Sequence, residues 1–467
     1  KITEIELVKV PNPKELKNYL DSYIIGQNHG KKVMSVGVYN HYMRINDRAK
    51  RLHLLHLKEK EKFNSQHELR PLESRGGIPS EIQQSNFAVP QVSINELNYD
   101  QDLQEEIPEI EKSNILMLGP SGSGKTLIAK TLSKILDIPF VITDCTSLTQ
   151  AGYIGDDVES SIEKLLINSS YDLKKAEKGI IVLDEFDKLS RKEVSRGTKD
   201  VGGEGVQQAL LKLVEGSTVT VNVKKPVSDK DKSCSSLGKS PLSPDKANET
   251  YMVDTSNILF ILMGAFVGLD KFVAKRFQNS GSDDNASIIS ELYENSGKET
   301  QLQQVELRNG KKVNALELVT PDDLVKYGIV PELVGRIPII TSLDPLTKKD
   351  LLRILTEPKN SLLKQYEYKF KMFGVKLAIT SKALEAIAEL AMKNGTGARG
   401  LRGIMEKLLL DINYESPDSG IKYVLINNQA ILDFIADENS GYRGSFSPEY
   451  YSRGQIYQFL DKIKGED

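Results

Sequence analysis

The stretch Gly119 to Thr126 reads GPSGSGKT, and every residue type in it suits the handling of a phosphate chain. Gly119, Gly122 and Gly124 lack a Cβ, so the backbone around Pro120, Ser121 and Ser123 can turn its N–H groups inward on phosphate oxygens. Lys125 can reach the outer phosphates, and the Thr126 hydroxyl suits a Mg2+ ion carried with them. Downstream, the run IIVLDE ends in Asp184 and Glu185. The first carboxylate at such a strand end can hold the magnesium shell, a role assigned to Asp184. The second can orient and deprotonate an attacking water, a role assigned to Glu185. Two acids after an apolar strand are commonly only a solvated turn. The phosphate loop in the same chain gives this pair a chemical partner, and the combination points to ATP hydrolysis.

Such a loop works only on a rigid frame. The apolar run NILML before it reads as a strand and LIAKTLSKIL after it as a helix, whose N-terminus adds favourable partial charge. The runs GIIVLDEFDKL and NILFILMGAF read as further buried strands, and their alternation with helical stretches predicts an α/β fold with a parallel sheet. The second of them, ending FILMGAF, offers no polar side chain to position water, so no catalytic residue is assigned there. Residues 1–45 read as an N-terminal helical part of this large domain, helical over 12–45. Residues 46–113 are polar with scattered Gly and Pro and are expected to be a disordered insertion. The large α/β domain is placed at 114–340, with polar insertions near 224–249 and 278–312. A smaller, mainly helical domain follows at 341–436. There Leu384, Ile387, Ala388 and Ala391, then Leu401, Ile404, Met405, Leu408, Leu409 and Ile412, recur at helical period. The tail 437–467 receives no assignment beyond a possible helix at QIYQFLDKIK.

Bulk properties narrow the class. The chain has 467 residues, 39% hydrophobic and 27% charged, enough for two or three domains at ~150 residues each. A formal net charge of −3 counts mildly against a protein whose main partner is a phosphate backbone. Cys145 and Cys234 are the only cysteines, with neither metal-ligand spacing nor a disulfide framework. No apolar run approaches the ~18 residues of a membrane span.

One aromatic stands out. In QAGYIGDD, Tyr153 sits between glycines and beside Ile154, an apolar ring on what reads as a mobile loop. Arg336 in PELVGRIP and Arg399 in GTGARGLR raise the opposite question: by spacing alone each is more often a surface residue with a weak ion pair.

These strings, with LDSYIIGQNHGKKV and GGEGVQQALLKLVEG, carry a resemblance to the ClpX family of AAA+ protein-unfolding ATPases, covering most of residues 11–436. The resemblance implies an AAA+ large domain followed by a small helical domain, working as a homohexameric ring with ATP and Mg2+ at subunit interfaces. It places Ile25 to Gln27 near the adenine. It makes Arg336 the finger that reaches a neighbour's ATP, and Arg399 the small-domain arginine that senses its own. It makes Gly152, Tyr153, Ile154 and Gly155 the pore loop whose aromatic grips the substrate chain. TKDVG at 198–202 resembles the family's second pore loop less closely.

The departures matter as much. The family's cysteine-ligated N-terminal zinc module and its basic RKH pore-entrance triplet have no match. Nor does the Ile/Leu-Gly-Phe tripeptide that docks the ClpP peptidase, for Ile288, Ile289 and Leu292 are not followed by Gly-Phe. The expectation is an ATP-dependent unfoldase or remodelling chaperone acting on protein clients, with no ClpP partner and no nucleic acid. The alternatives are the ATPase subunit of a ClpXP-like protease and, more remotely, a nucleic-acid motor. The long insertion and a first residue that is Lys1 rather than Met fit a mitochondrial-matrix member. For that group 5-aminolevulinate synthase is an expected client.

Overall fold

The computed structural model describes residues 7–68, 108, 110–149, 156–190, 203–224, 248–279, 304–306, 312–440 and 446–466. They fall into two compact units, Lys1–Lys9 with Asn40–Lys112, and Val10–Tyr39 with Ser113–Asp467.

In the second unit, five strands form one parallel sheet in the order Ile339–Ser342, Ile115–Leu118, Leu259–Gly264, Ile180–Asp184, Phe140–Asp144. Three of them, ILML, IIVLD and LFILMG, are buried almost throughout, because a parallel sheet is covered on both faces and gains from apolar side chains on each. Their carboxyl ends lie in register, Leu118 opposite Gly264 and Asp144 opposite Asp184. The turns that follow these strands therefore gather along one edge, where open α/β sheets bind ligands. A second core brings Leu351, Phe370, Ile387, Met405, Leu408 and Val424 together. Its helices Ser381–Lys393 and Gly397–Leu408 bury Leu384, Ile387, Ala388 and Ala391, and Leu401, Ile404, Met405 and Leu408. The period expected to run on to Ile412 breaks at Leu409, and buried Ile412 belongs to a separate helix, Leu410–Glu415.

The structure departs from the sequence reading in three places. The N-terminal helical stretch is two helices, Pro13–Asp21 and Asn28–Glu68, separated by a link in which Gly26 (φ +66°) and Gln27 (φ +55°) adopt left-handed backbone that no helix can hold. Second, the helix from Asn28 runs on to Glu68, where disorder was expected from residue 46. That sequence, RAKRLHLLHLKEKEKF, lacks a clean apolar stripe but is built from strong helix formers, and Asp47 and Arg51 pair across one turn at 2.6 Å. Residues 69–107 lie outside the described residues.

Third, the tail forms the possible helix at QIYQFLDKIK and also a strand for which no assignment was made. Glu449–Ser452 adds an antiparallel strand to Ile421–Ile426, which pairs in parallel with Lys376–Ile379. The helix Ile456–Glu466 then seats Phe459, fully buried, against the rings of Tyr423 and Tyr451 at 5.0 and 5.7 Å. Around the insertions, Thr218–Lys224 and Asn248–Asp254 form an antiparallel hairpin, and Gln304–Glu306 pairs with Lys312–Asn314. Ile288, Ile289 and Leu292 lie outside the described residues.

Candidate functional site

The phosphate loop joins the strand Ile115–Leu118 to the helix Lys125–Leu136. Gly119, Gly122 and Gly124 have φ of +148°, +79° and +100°, values that side chains rarely tolerate. Each glycine has its own neighbourhood. A Cβ on Gly119 would meet the Leu343 carbonyl oxygen at 2.9 Å, and one on Gly122 would meet the Thr396 carbonyl oxygen at 3.1 Å. At Gly124 nothing would lie within 4 Å. The loop is thus wedged between the segment after Ile339–Ser342 and the start of Gly397–Leu408, with space left at the helix N-terminus for an anion.

Lys125 Nζ donates to the carbonyls of Gly119 at 2.7 Å and Pro120 at 2.9 Å. Burial pulls its pKa down to about 8; Asp184 and Asp187 oppose the shift and Arg399 adds to it. A side chain so placed can exchange two carbonyl partners for phosphate oxygens without leaving the loop. The Thr126 hydroxyl donates to Asp184 Oδ2 at 3.0 Å, although the central strand Leu259–Gly264 separates the two parent strands. Two oxygens this close at the mouth of a phosphate loop fit Mg2+, which takes one or two protein oxygens and fills its octahedron with water and phosphate. Among the described residues no group of three or more His, Cys, Asp or Glu could hold a metal. An ion here would therefore lean on the oxygens of a nucleotide.

Glu185 is exposed and has a left-handed backbone, φ +55° and ψ 32°. For a non-glycine residue that is strain of order 1–3 kcal/mol, which persists only where surroundings enforce it. One such constraint is visible, the Glu185 N–H donating to Asp184 Oδ1 at 2.9 Å. Two residues on, Asp187 is an acid to which the motif assigns no role. It is buried, its Oδ1 accepts from Ala265 N–H at 3.2 Å, and a Cβ on Gly264 would stand 2.6 Å from that oxygen. An acid from the turn after the neighbouring strand therefore reaches the end of the central strand, where FILMGAF offers no polar side chain of its own. The signal was present in DEFDK, where a third acid follows a buried phenylalanine.

Ile25 lines a cavity of about 440 Å³ together with Ile24, Gly26, Arg353, Glu357 and Lys359. Gln27 fastens this link to the phosphate loop. Its Nε2 donates to Asp344 O at 2.8 Å and Ser123 O at 3.4 Å, and its Oε1 accepts from Asp344 N–H at 2.9 Å. Arg399 is exposed near the start of Gly397–Leu408, the segment that touches Gly122. Arg336 stands apart, exposed, with its Nε on Glu215 Oε1 at 3.0 Å. Gly152, Tyr153, Ile154 and Gly155 lie outside the described residues, as does 198–202. Cys145 is buried and free, its thiol pushed up by burial and then by the acids of the strand ends. Cys234 is not among the described residues.

A family model described as AAA domain (Cdc48 subfamily) matches residues 110–340. Another, the C-terminal D2-small domain of ClpB protein, matches 346–417. Across 486 aligned residues the chain is 50% identical to the ATP-dependent clpX-like chaperone, mitochondrial, of Saccharomyces cerevisiae, spanning 100% of this chain and 90% of that protein. The chain belongs to the ClpX family. It is also 42% identical over 431 residues to the ATP-dependent Clp protease ATP-binding subunit ClpX of Treponema denticola, covering 90% of this chain and 81% of that one. As a ClpX-type AAA+ protein it binds nucleotide, hydrolyses ATP and acts as an ATP-dependent unfoldase or chaperone. No helix among the described residues is long and apolar enough to cross a membrane.

Proposed function

We propose that the chain forms a homohexameric ring that pulls protein clients past Tyr153 and remodels them without handing them to ClpP. What supports this reading is the shared phosphate loop: the same turn meets Asp184 through Thr126 and the arginine-bearing small-domain helix through Gly122. Bound ATP at that point would be felt by both halves of the subunit. In this reading Gly119, Pro120, Ser121, Gly122, Ser123, Gly124 and Lys125 hold the phosphates, and Ile25 lies by the base. Thr126 and Asp184 hold Mg2+, which supplies charge neutralisation on the phosphates. Glu185 takes the proton of the attacking water, Arg399 reads the nucleotide from its own small domain, and Arg336 serves the neighbour. The missing Ile/Leu-Gly-Phe tripeptide favours remodelling over proteolysis, since an apolar tip anchors such a contact and no number of loops multiplies a contact that is not made. The yeast relative's name carries the word mitochondrial, which favours the matrix as the location, where 5-aminolevulinate synthase is a candidate client.

The test is ATP-dependent unfolding of a tagged fluorescent protein. Tyr153→Ala should keep ATP turnover and lose unfolding, so equal unfolding rates would remove the grip assignment. Co-sedimentation with a ClpP ring in ATP would overturn the peptidase-free reading. Turnover stimulated by DNA and not by unfolded protein would favour a nucleic-acid motor.

A further inference from the structure

Gln207 sits in the helix Glu204–Glu215, and its side chain is completely buried. Its amide is spent on two segments far apart in sequence. Nε2 donates to Leu189 O at 2.6 Å and to Gly328 O at 3.2 Å, while Oε1 accepts from Val330 N–H at 2.7 Å. Leu189 closes the short turn Phe186–Leu189 that opens directly after Glu185. Val330 caps the short helix Pro331–Val334, and Arg336 follows it. The same long helix ends at Glu215, the partner of Arg336 Nε. Beside that end, buried Asn114 donates through Nδ2 to Arg336 O at 2.9 Å and Val214 O at 3.4 Å. One helix therefore touches the hydrolytic turn near its start and the arginine segment at both its ends.

We propose that Gln207 is a positioning residue that sets the Glu185 turn and the Arg336 segment together, so that a subunit's own hydrolytic geometry and the arginine it offers its neighbour change as a pair. The proposal rests on Arg336 acting on a neighbour's nucleotide. The physical reason is the cost of partial release. If either segment moved alone, a buried carbonyl or N–H would lose its partner, and an unpaired buried polar group costs more than the net worth of its hydrogen bond. Movement on one side is therefore either resisted or passed to the other. A residue that merely filled this space would need volume and no amide, and methionine would supply it.

Mixed rings separate the two sides. One chain carries Glu185→Gln with Arg336 intact and offers only the arginine. The other carries Arg336→Ala with Glu185 intact and can only hydrolyse. Their mixture should regain ATP turnover. If it stays inactive with co-assembly shown, the reading of Arg336 as acting across the interface fails, and this proposal with it. Given an active mixture, Gln207→Met is placed in one chain and then in the other. Each placement should lower kcat by at least about fivefold, the scale of one net hydrogen bond and so the floor for the bonds lost on that side, with KM for ATP unchanged. Loss from one placement only, or from neither, overturns the coupling while leaving the trans reading of Arg336 standing. Should Gln207→Met fail to fold, Gln207→Asn keeps a neutral amide that is one methylene too short to span both segments. It should reproduce the double loss, and normal turnover of a folded Gln207→Asn mixture in both placements sinks the proposal.

Discussion

Inside one subunit Lys125 is held by the carbonyls of Gly119 and Pro120, and Thr126 by Asp184 at the end of the apolar strand Ile180–Asp184. Arg336, by contrast, is about half exposed and its side chain meets a partly exposed carboxylate, Glu215, a kind of pair worth ~0.2–1 kcal/mol. Arg399 is exposed as well, beside a loop it influences by charge. The difference teaches a division of labour. The groups proposed to bind phosphate are already held in place, Lys125 buried against two carbonyls and Thr126 against Asp184. The arginines are kept loosely held, ready to be completed by something outside their own domain. Pre-organisation on one side and availability on the other suit the proposed ring, in which nucleotide lies between subunits.

Breaking the loosely held side should cost most. Arg336→Ala should lower ATP turnover by ~10³-fold, the lower end for an arginine supplied from outside the site, while leaving nucleotide affinity of the subunit intact. Glu185→Gln should lower it by ~10²-fold or more with ATP still bound, as the proposed role of Glu185 as base requires. Steady-state hydrolysis alongside equilibrium binding of a fluorescent nucleotide reads both. Turnover within a few-fold of the parent in either variant would dissolve the contrast.

The pre-assembled side is sharpened by pH. Lys125 has its pKa near 8 in the fold against ~10.4 in the unfolded chain, so between those values the folded chain binds fewer protons and stability rises with pH. Phosphates favour the charged amine. Binding should therefore take up a proton in that window, and affinity should fall by about tenfold per unit above pH 8. Calorimetric titration in buffers of different ionisation heat measures the uptake, and a flat affinity up to about pH 9 would refute it. The smallest effect belongs to Glu215→Gln. If the pair with Arg336 is a resting place only, turnover should change by less than about fivefold, the value of a surface ion pair.

The frame of the candidate site could be read from the chain because its signals are local: GPSGSGKT and IIVLDE each declare an element within a few residues, and the structure brings Thr126 and Asp184 together. The α/β frame followed from continuous apolar runs, and the small domain's helices from the period of Leu384 to Ile412. What stayed hidden was non-local or unpatterned. Asp187 looks like one more charged turn residue until its hydrogen bond to Ala265 is seen. Gln207 looks like an ordinary polar helix position because nothing in GVQQALLK marks which glutamine faces inward. The helix to Glu68 was masked by its polarity, since propensity without an apolar stripe resembles disorder. The tail was opaque because strand pairing with Ile421–Ile426 depends on a partner more than twenty residues away.

That tail has a further consequence. Glu449–Ser452 occupies what would otherwise be the open flank of Ile421–Ile426, and Glu449 sits there with Lys462 held against it at 3.0 Å. A bare strand flank is a row of unsated donors and acceptors that pairs with any extended polypeptide, and charge along it discourages such pairing. A protein that spends its life among half-unravelled clients is surrounded by extended polypeptide. By moving the sheet's edge onto a short strand that carries the Glu449–Lys462 pair, the chain presents charge, in place of the apolar strand Ile421–Ile426, to the material it handles.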